Sequence, residues 1–173
     1  MSLPTYIDLR RLAEQEVLLE GSTPLLQMER LCACLLDVKQ TDHVVARFEF
    51  NKSQPGLYVM QANIQATLRL QCQRCMEPMD FKAAVSPRFA LVTTEQEMES
   101  LPLSYEPLWG TEGLVSLLET IEDELLLTLP IVPRHDEICL PMMVVDHIDL
   151  PIQAESPFSA LAAVKDKLKK DSN

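Results

Sequence analysis

Residues 58–72 read YVMQANIQATLRLQC, and this stretch decides the fold class. Its even positions carry mostly apolar side chains, while the odd positions from 61 onward carry polar ones. Alternation with period two over this length is typical of a strand with one buried and one solvent-facing side. The stretch therefore predicts a long β-strand over residues 57–72.

Two further segments show strand patterns on either side of this one. Residues 43–51 alternate in the same way, and turn-forming residues 52–56 connect them to the long strand. Residues 79–92 supply a third strand that passes through Pro87. The apolar face of an antiparallel sheet must be buried against other elements, such as helices. We therefore predict an α+β fold with at least three strands, packed by two or three helices.

The rest of the chain is assigned from caps, prolines and helical spacing. We expect an extended piece and turns over residues 3–12, and a surface loop over residues 93–113. Helices are expected over residues 25–36, 113–125 and 157–165, the first of them capped by Ser22 or Thr23.

The charges are segregated along the sequence. The 173 residues carry a net charge of −11. Residues 43–91 nevertheless hold six basic and three acidic side chains, whereas residues 92–156 hold fourteen acidic and one basic. Residues 157–173 return to a balance of +2. Separate basic and acidic surfaces on one body predict a protein that acts by recognition.

Cysteine usage and hydropathy indicate the cellular compartment in which the chain is expected to work. Five cysteines, an odd number, fit a reducing compartment better than a disulfide framework. Neither a targeting segment nor an apolar run of membrane-spanning length is present. We expect a cytoplasmic protein with no membrane association, built as a single domain over residues 1–170 with a disordered tail at residues 171–173.

Two cysteines in a C-x-x-C arrangement, Cys72 and Cys75, are the clearest candidates for chemistry. Thiolates at this spacing in a hairpin loop can bind one metal ion, and His135 and Cys139 complete four ligands for zinc. Two observations oppose this reading: there is no second C-x-x-C, and Met76 rather than Gly follows Cys75. The alternatives that stay open are a plain surface turn and a thiol-redox pair.

No catalytic signature accompanies these cysteines. The sequence has four glycines in all and contains neither a phosphate-binding loop, nor a nucleophile elbow, nor a zinc-protease motif. We therefore expect a protein that is not an enzyme. Glu119, Glu122 and Asp123 are assigned to the solvent-facing side of a helix, where they form a candidate surface for a partner.

Four stretches together resemble the YceD family. They are LQCQRC at 70–75, LPLSYEP at 101–107, IEDELLLTLPIVPRHD at 121–136 followed by Cys139, and SPFSAL at 156–161. The resemblance implies a role in the synthesis, processing or stability of 23S ribosomal RNA, and it transfers no catalytic residues. Some relatives carry a second C-x-x-C where this chain has only Cys139.

Two routes connect an acidic protein to ribosomal RNA. The acidic surface can hold a basic ribosomal protein or an RNA-processing factor. Alternatively, basic residues of the sheet can contact RNA phosphates directly, and the candidates are Arg69, Arg74, Lys82 and Arg88. We favour the first route, because the overall negative field opposes the approach of RNA.

Overall fold

The computed structural model describes residues 2–54, 56–111 and 113–139. The strands are β1 (Tyr6–Asp8), β2 (Leu18–Pro24), β3 (His43–Gln54), β4 (Leu57–Gln71), β5 (Pro78–Val85), β6 (Arg88–Val92), β7 (Glu106–Trp109) and β8 (Leu114–Ser116). The α-helices are α1 (Leu9–Glu14), α2 (Glu29–Cys32), α3 (Glu95–Glu99) and α4 (Leu117–Thr128), and a 3-10 turn spans Leu25–Gln27. The helix expected at 157–165 and the tail at 171–173 lie outside the described residues.

Strand β4 is the centre of the main sheet. It pairs with β3 along one edge and with β5 and β6 along the other, always antiparallel. Strand β2 extends the sheet beyond β3, and β7 extends it beyond β6 as a parallel neighbour. The even residues of β4 from Met60 to Leu70 are buried, as the period-two pattern predicts. The expected α+β fold with an antiparallel sheet is confirmed.

The third predicted strand is one run with a short interruption. Ile64 lies opposite Val85 in β5, and Gln61 lies opposite Arg88 in β6, so both strands keep the same register on β4. The interruption falls at Ser86 and Pro87, where proline has no N–H to donate to a ladder. The carbonyl of Pro87 still accepts a hydrogen bond from the Ala62 N–H at 3.0 Å.

The core lies between helices α1, α2 and α4 and the face of the sheet that carries the even residues of β3 and β4. Helix α1 packs on β3 and β4, while α4 packs on β5. The fully buried side chains of α4 are Leu117, Ile121 and Leu125, and they join one cluster with Phe48 and Ile64. Burying a side chain of this size contributes roughly 1.5–3 kcal/mol. The cluster therefore holds α1, α2 and α4 on one side of the sheet.

The N-terminal prediction was wrong in part. Residues 3–12 contain strand β1, which pairs with β8, and helix α1 where turns were expected. Asp8 is the N-cap of α1, and its carboxylate accepts a hydrogen bond from the Arg11 N–H at 3.0 Å. A six-residue helix shows too little periodicity to be recognised, and its stability comes from burial of Leu9 and Ala13.

The helix predicted over residues 25–36 was also wrong. Strand β2 continues to Pro24, because Gly21 to Thr23 pair with β3 instead of capping a helix. Only the 3-10 turn and the four-residue helix α2 follow. Tertiary pairing thus overrides the local cap signal at Ser22 and Thr23.

The remaining differences concern residues 93–128. The expected loop at 93–113 contains α3 and β7. The next helix begins at Leu117 rather than at 113, because residues Leu114–Ser116 pair with β1. Within the described part of the chain, no helix has the length and hydropathy needed to cross a membrane.

Candidate metal centre and charged surfaces

The four predicted ligands come together at one end of the sheet. Cys72 and Cys75 lie in the hairpin between β4 and β5, while His135 and Cys139 lie beyond helix α4. One ligand atom from each of the four lies within 4.8 Å of the other three. The cluster joins residues 60 or more positions apart in sequence.

Backbone hydrogen bonds fix the hairpin that carries the first two ligands and join it to the segment that carries the other two. Cys72 donates its N–H to the carbonyl of Glu77 at 3.0 Å, and Met76 donates to the carbonyl of Cys72 at 2.9 Å. The second half is tied to the first by the N–H of Gln73, which donates to the carbonyl of Pro133 at 2.8 Å. A backbone hydrogen bond therefore ties the segment after α4 to the hairpin, in addition to the side-chain contacts of the cluster.

The distances fit a tetrahedral zinc ion. The sulfurs of Cys72 and Cys139 are 3.7 Å apart, and the Cys75 sulfur lies 3.4 Å from Nδ1 of His135. A tetrahedron with Zn–S bonds of about 2.3 Å places two sulfurs about 3.8 Å apart and a sulfur about 3.6 Å from a nitrogen ligand. Three thiolates and one imidazole are also a donor set that zinc prefers.

The imidazole of His135 is held in an orientation that suits a ligand. Its Nε2 lies 3.2 Å from the carbonyl of Pro78, which leaves Nδ1 directed at the thiols. A metal-binding histidine commonly donates its other N–H to a backbone carbonyl in this way. Hydrogen bonds to the sulfurs of Cys139 and Cys72 raise the pKa of His135.

The thiol of Cys72 has a pKa well below its usual range. Its side chain is fully buried, and burial, the largest single effect on its pKa, favours the neutral thiol over the thiolate. Hydrogen bonds from the backbone of Cys75, His135 and Arg74 outweigh the burial, and the pKa of Cys72 falls to about 5. A sulfur that ionises readily is prepared for a cation.

Arg74 faces this cluster. Its Nε donates to the sulfur of Cys139 at 3.0 Å, and its Nη2 donates to the carbonyls of His135 and Glu137. Three thiolates around a divalent ion would carry one net negative charge, which the guanidinium would offset. Sequence reasoning assigned Arg74 to RNA and missed this role, because only its place between the two cysteines hinted at it.

Met76 follows Cys75, at the position where a glycine would be expected after the C-x-x-C of a zinc-binding turn. Its φ is 64°, in the left-handed region where a side chain costs roughly 1–2 kcal/mol. The hairpin thus adopts the turn that glycine would make easily, and the absence of glycine does not prevent the geometry.

Replacing Met76 with glycine is expected to stabilise the protein, by up to about 1 kcal/mol, because relief of this strain exceeds the extra freedom of the unfolded chain. The measurement is the midpoint of urea unfolding, with Met98→Gly as a control at an exposed helical position. A lower midpoint for Met76→Gly would show that side-chain packing of Met76 outweighs the strain.

The four basic residues assigned to RNA differ in their surroundings. Arg69 pairs with Asp37 at 3.3 Å and with Asp80 at 3.6 Å, and Arg74 is engaged at the cysteine cluster. Lys82 and Arg88 are exposed on the sheet. Contact with RNA stays a prediction for all four, and the last two are the ones whose charge is presented to solvent.

The acidic residues of α4 do not share one face. Glu119 and Asp123 are exposed, but Glu122 is 6% exposed, so its assignment to the solvent-facing side was wrong. The reason is helix α2, which packs against α4. The carboxylate of Glu122 accepts hydrogen bonds from the Leu31 N–H at 3.0 Å and from Arg30 at 2.7 Å.

Comparison with known proteins identifies the family. The family model described as "Large ribosomal RNA subunit accumulation protein YceD" matches residues 60–165. A protein of that same name from Haemophilus influenzae is 29% identical, and the match covers 96% of this chain and 98% of the relative. No solved structure matches the chain. The matched residues include the whole cysteine cluster and the acidic helix, and the chain belongs to the YceD family.

Proposed function

We propose that this protein is an accessory factor in the accumulation of large-subunit ribosomal RNA, acting in its synthesis, processing or stability. The observation that carries the proposal is the match over nearly the full length of a relative named for that role. The protein would work in the cytoplasm, where ribosomal subunits assemble, and its partners would be ribosomal proteins or RNA-processing factors.

Recognition rather than catalysis is the proposed mode of action. The cysteine cluster offers four protein ligands, and a zinc ion with four protein ligands has no open position for a substrate or a water. Such a site supports a structural role. A thiol-redox role has less support, because Cys72 directly follows strand β4 and is fully buried, and among the described elements no helix begins in the hairpin that holds it.

We propose that zinc joins the hairpin to the segment after α4. The donors that fit it are the sulfurs of Cys72, Cys75 and Cys139 and Nδ1 of His135. The ion would supply a cross-link between parts of the chain far apart in sequence. Arg74 would balance its charge, and the docked segment would then keep a defined surface for a partner.

The acidic surface of α4 is the proposed contact for a basic partner protein. Glu119 and Asp123 present exposed carboxylates, and Asp123 already holds Arg30 at 2.7 Å on the surface. Complementary charge speeds encounter and orients the two molecules. A ribosomal protein with a basic surface matches this chemistry.

Affinity purification from growing cells at low salt tests the proposed function. We expect recovery of precursor large subunits, or of a protein bound to them, with both protein and RNA identified in parallel. Depletion of this protein is expected to reduce 23S ribosomal RNA relative to 16S. If the purification yields neither ribosomal proteins nor ribosomal RNA, the proposed function is wrong.

Glu119→Lys is expected to weaken recovery of the partner by about 3–10-fold, because it reverses an exposed charge on the proposed contact. The matched control is Glu95→Lys, which makes the same change in the first turn of α3. Quantitative mass spectrometry of the purified complexes measures both. Equal recovery of the partner with the two variants would show that α4 is not part of the contact.

A further inference from the structure

The outer face of the sheet consists of the odd residues of β3 and β4 and the even residues of β5 and β6 that lie beside them. It is polar and rich in side-chain amides, which it carries at Asn51, Gln61, Asn63 and Gln65. At its β6 end lies a cavity of about 230 Å³. The residues that line this cavity are Asn51, Ser53, Val59, Met60, Gln61, Arg88 and Tyr105.

Arg88 is the charged residue of this cavity. Its Nε donates to Oε1 of Gln61 at 2.7 Å, which directs the side chain along the sheet. In the part of the chain that the structure describes, no carboxylate lies within ion-pair distance of Arg88. The guanidinium is thus oriented by a neutral amide, and its charge remains available for an anion.

Tyr105 is the aromatic residue among those that line the cavity. It lies directly before β7, at the end of a turn in which its N–H donates to the carbonyl of Pro102 at 3.0 Å. Its hydroxyl lies 3.3 Å from the hydroxyl of Ser53. Since β7 is paired to β6, the ring is positioned by the sheet rather than by a free loop.

We propose that this cavity holds an unstacked base of single-stranded RNA, a role that rests on the proposed function. The Tyr105 ring would stack on the base, the amide of Asn51 would contact its edge, and Arg88, held in place by Gln61, would bind the adjacent phosphate. An aromatic ring, an amide and an arginine are a combination by which proteins hold splayed-out bases.

The local charge favours this ligand despite the acidity of the whole chain. The outer face itself carries four basic side chains, Arg47, Arg69, Lys82 and Arg88, against two acidic ones, Glu49 and Asp80. The acidic helix α4 packs on β5 through the core, on the opposite side of the sheet. RNA approaching the outer face therefore meets the basic part of the molecule first.

Fluorescence anisotropy with the full chain and a labelled single-stranded RNA of mixed sequence tests the proposal. Tyr105→Leu is expected to weaken binding by at least about fivefold, while Tyr105→Phe, which keeps the ring, should stay within about twofold of the wild type. Arg88→Gln is expected to weaken binding by about fivefold and to reduce the salt dependence. Arg47→Gln makes the same change elsewhere on this face and should have less than about a twofold effect.

Several results would overturn the inference. Absence of binding, equal affinity for duplex RNA, or equal losses for Arg47→Gln and Arg88→Gln would do so. The inference would also fail if Tyr105→Leu lost a protein partner in the affinity purification while its affinity for RNA stayed unchanged. If the inference fails but purification still recovers precursor subunits, the proposed function stands. If purification recovers neither protein nor RNA of the ribosome, the proposed function falls whatever the affinity measured in vitro.

Discussion

Replacing Cys72 with alanine is expected to abolish stoichiometric zinc binding and to destabilise the protein by roughly 4 kcal/mol, the contribution of a ligand present at ~1,000 times its Kd. Cys72 is the buried member of the cluster, and its sulfur lies 3.7 Å from that of Cys139. Without it, three donors remain, and the segment after α4 loses the proposed zinc cross-link to the hairpin. Elemental analysis and urea unfolding measure the two effects.

The control for this prediction is Cys34→Ala, which removes an exposed thiol outside the cluster. It should leave zinc content unchanged and shift the unfolding free energy by less than about 0.5 kcal/mol. A strong chelator should destabilise the wild type by a similar amount to Cys72→Ala and have no further effect on that variant. Wild-type protein that is expressed with ample zinc and still carries far less than one ion per chain would refute the metal site.

Glu122→Ala is expected to lower the free energy of unfolding by about 2–3 kcal/mol, chiefly because it leaves the buried Leu31 N–H without an acceptor. The variant also breaks the ion pair with Arg30, but that side chain is 56% exposed, so its share is small. Urea unfolding provides the measurement. Glu119→Ala, on the exposed side of the same helix, should cost less than about 0.5 kcal/mol.

The pH dependence of stability tests the same carboxylate. Burial favours the neutral form of Glu122, but hydrogen bonds from Leu31 and Arg30 outweigh it and hold its pKa below the ordinary 4.5. Because the folded-state pKa is the lower one, the contribution is full above pH 4.5 and is lost as the pH falls below it. As the pH falls below 4.5, the free energy of unfolding should therefore decrease less for Glu122→Gln than for the wild type. An identical acid response in both proteins would contradict this role.

The long strand and its neighbours were predictable because one physical rule dominates them. A strand buried on one face must alternate, and β4 does so from Met60 to Leu70. The grouping of the two cysteines of the hairpin with His135 and Cys139 was predictable from donor type and spacing, since the last two follow a helix expected to pack near the sheet, and zinc binding by the group stays a prediction. Both results depend on residue type and spacing, which a sequence displays directly.

The errors arose where tertiary contacts decide the outcome. Glu122 lies on the helical side assigned to solvent, and only the packing of α2 against α4 turns it into a buried acceptor. Arg74 carries the same charge as any surface arginine, so its contact with Cys139 depends on the docked segment. The Tyr105 cavity likewise requires β7 to pair with β6, and a four-residue parallel strand leaves no periodic signal.

The long separation between the two halves of the cysteine cluster has a consequence during translation. His135 is synthesised 60 residues after Cys75. At ~5–20 residues per second, the nascent chain carries two reactive sulfurs for about 3–12 s before the remaining donors exist. Throughout that interval the half-made cluster is exposed to oxidants and to competing ions. Correct assembly of the proposed zinc site would therefore depend on the speed of elongation as well as on the affinity of the finished protein.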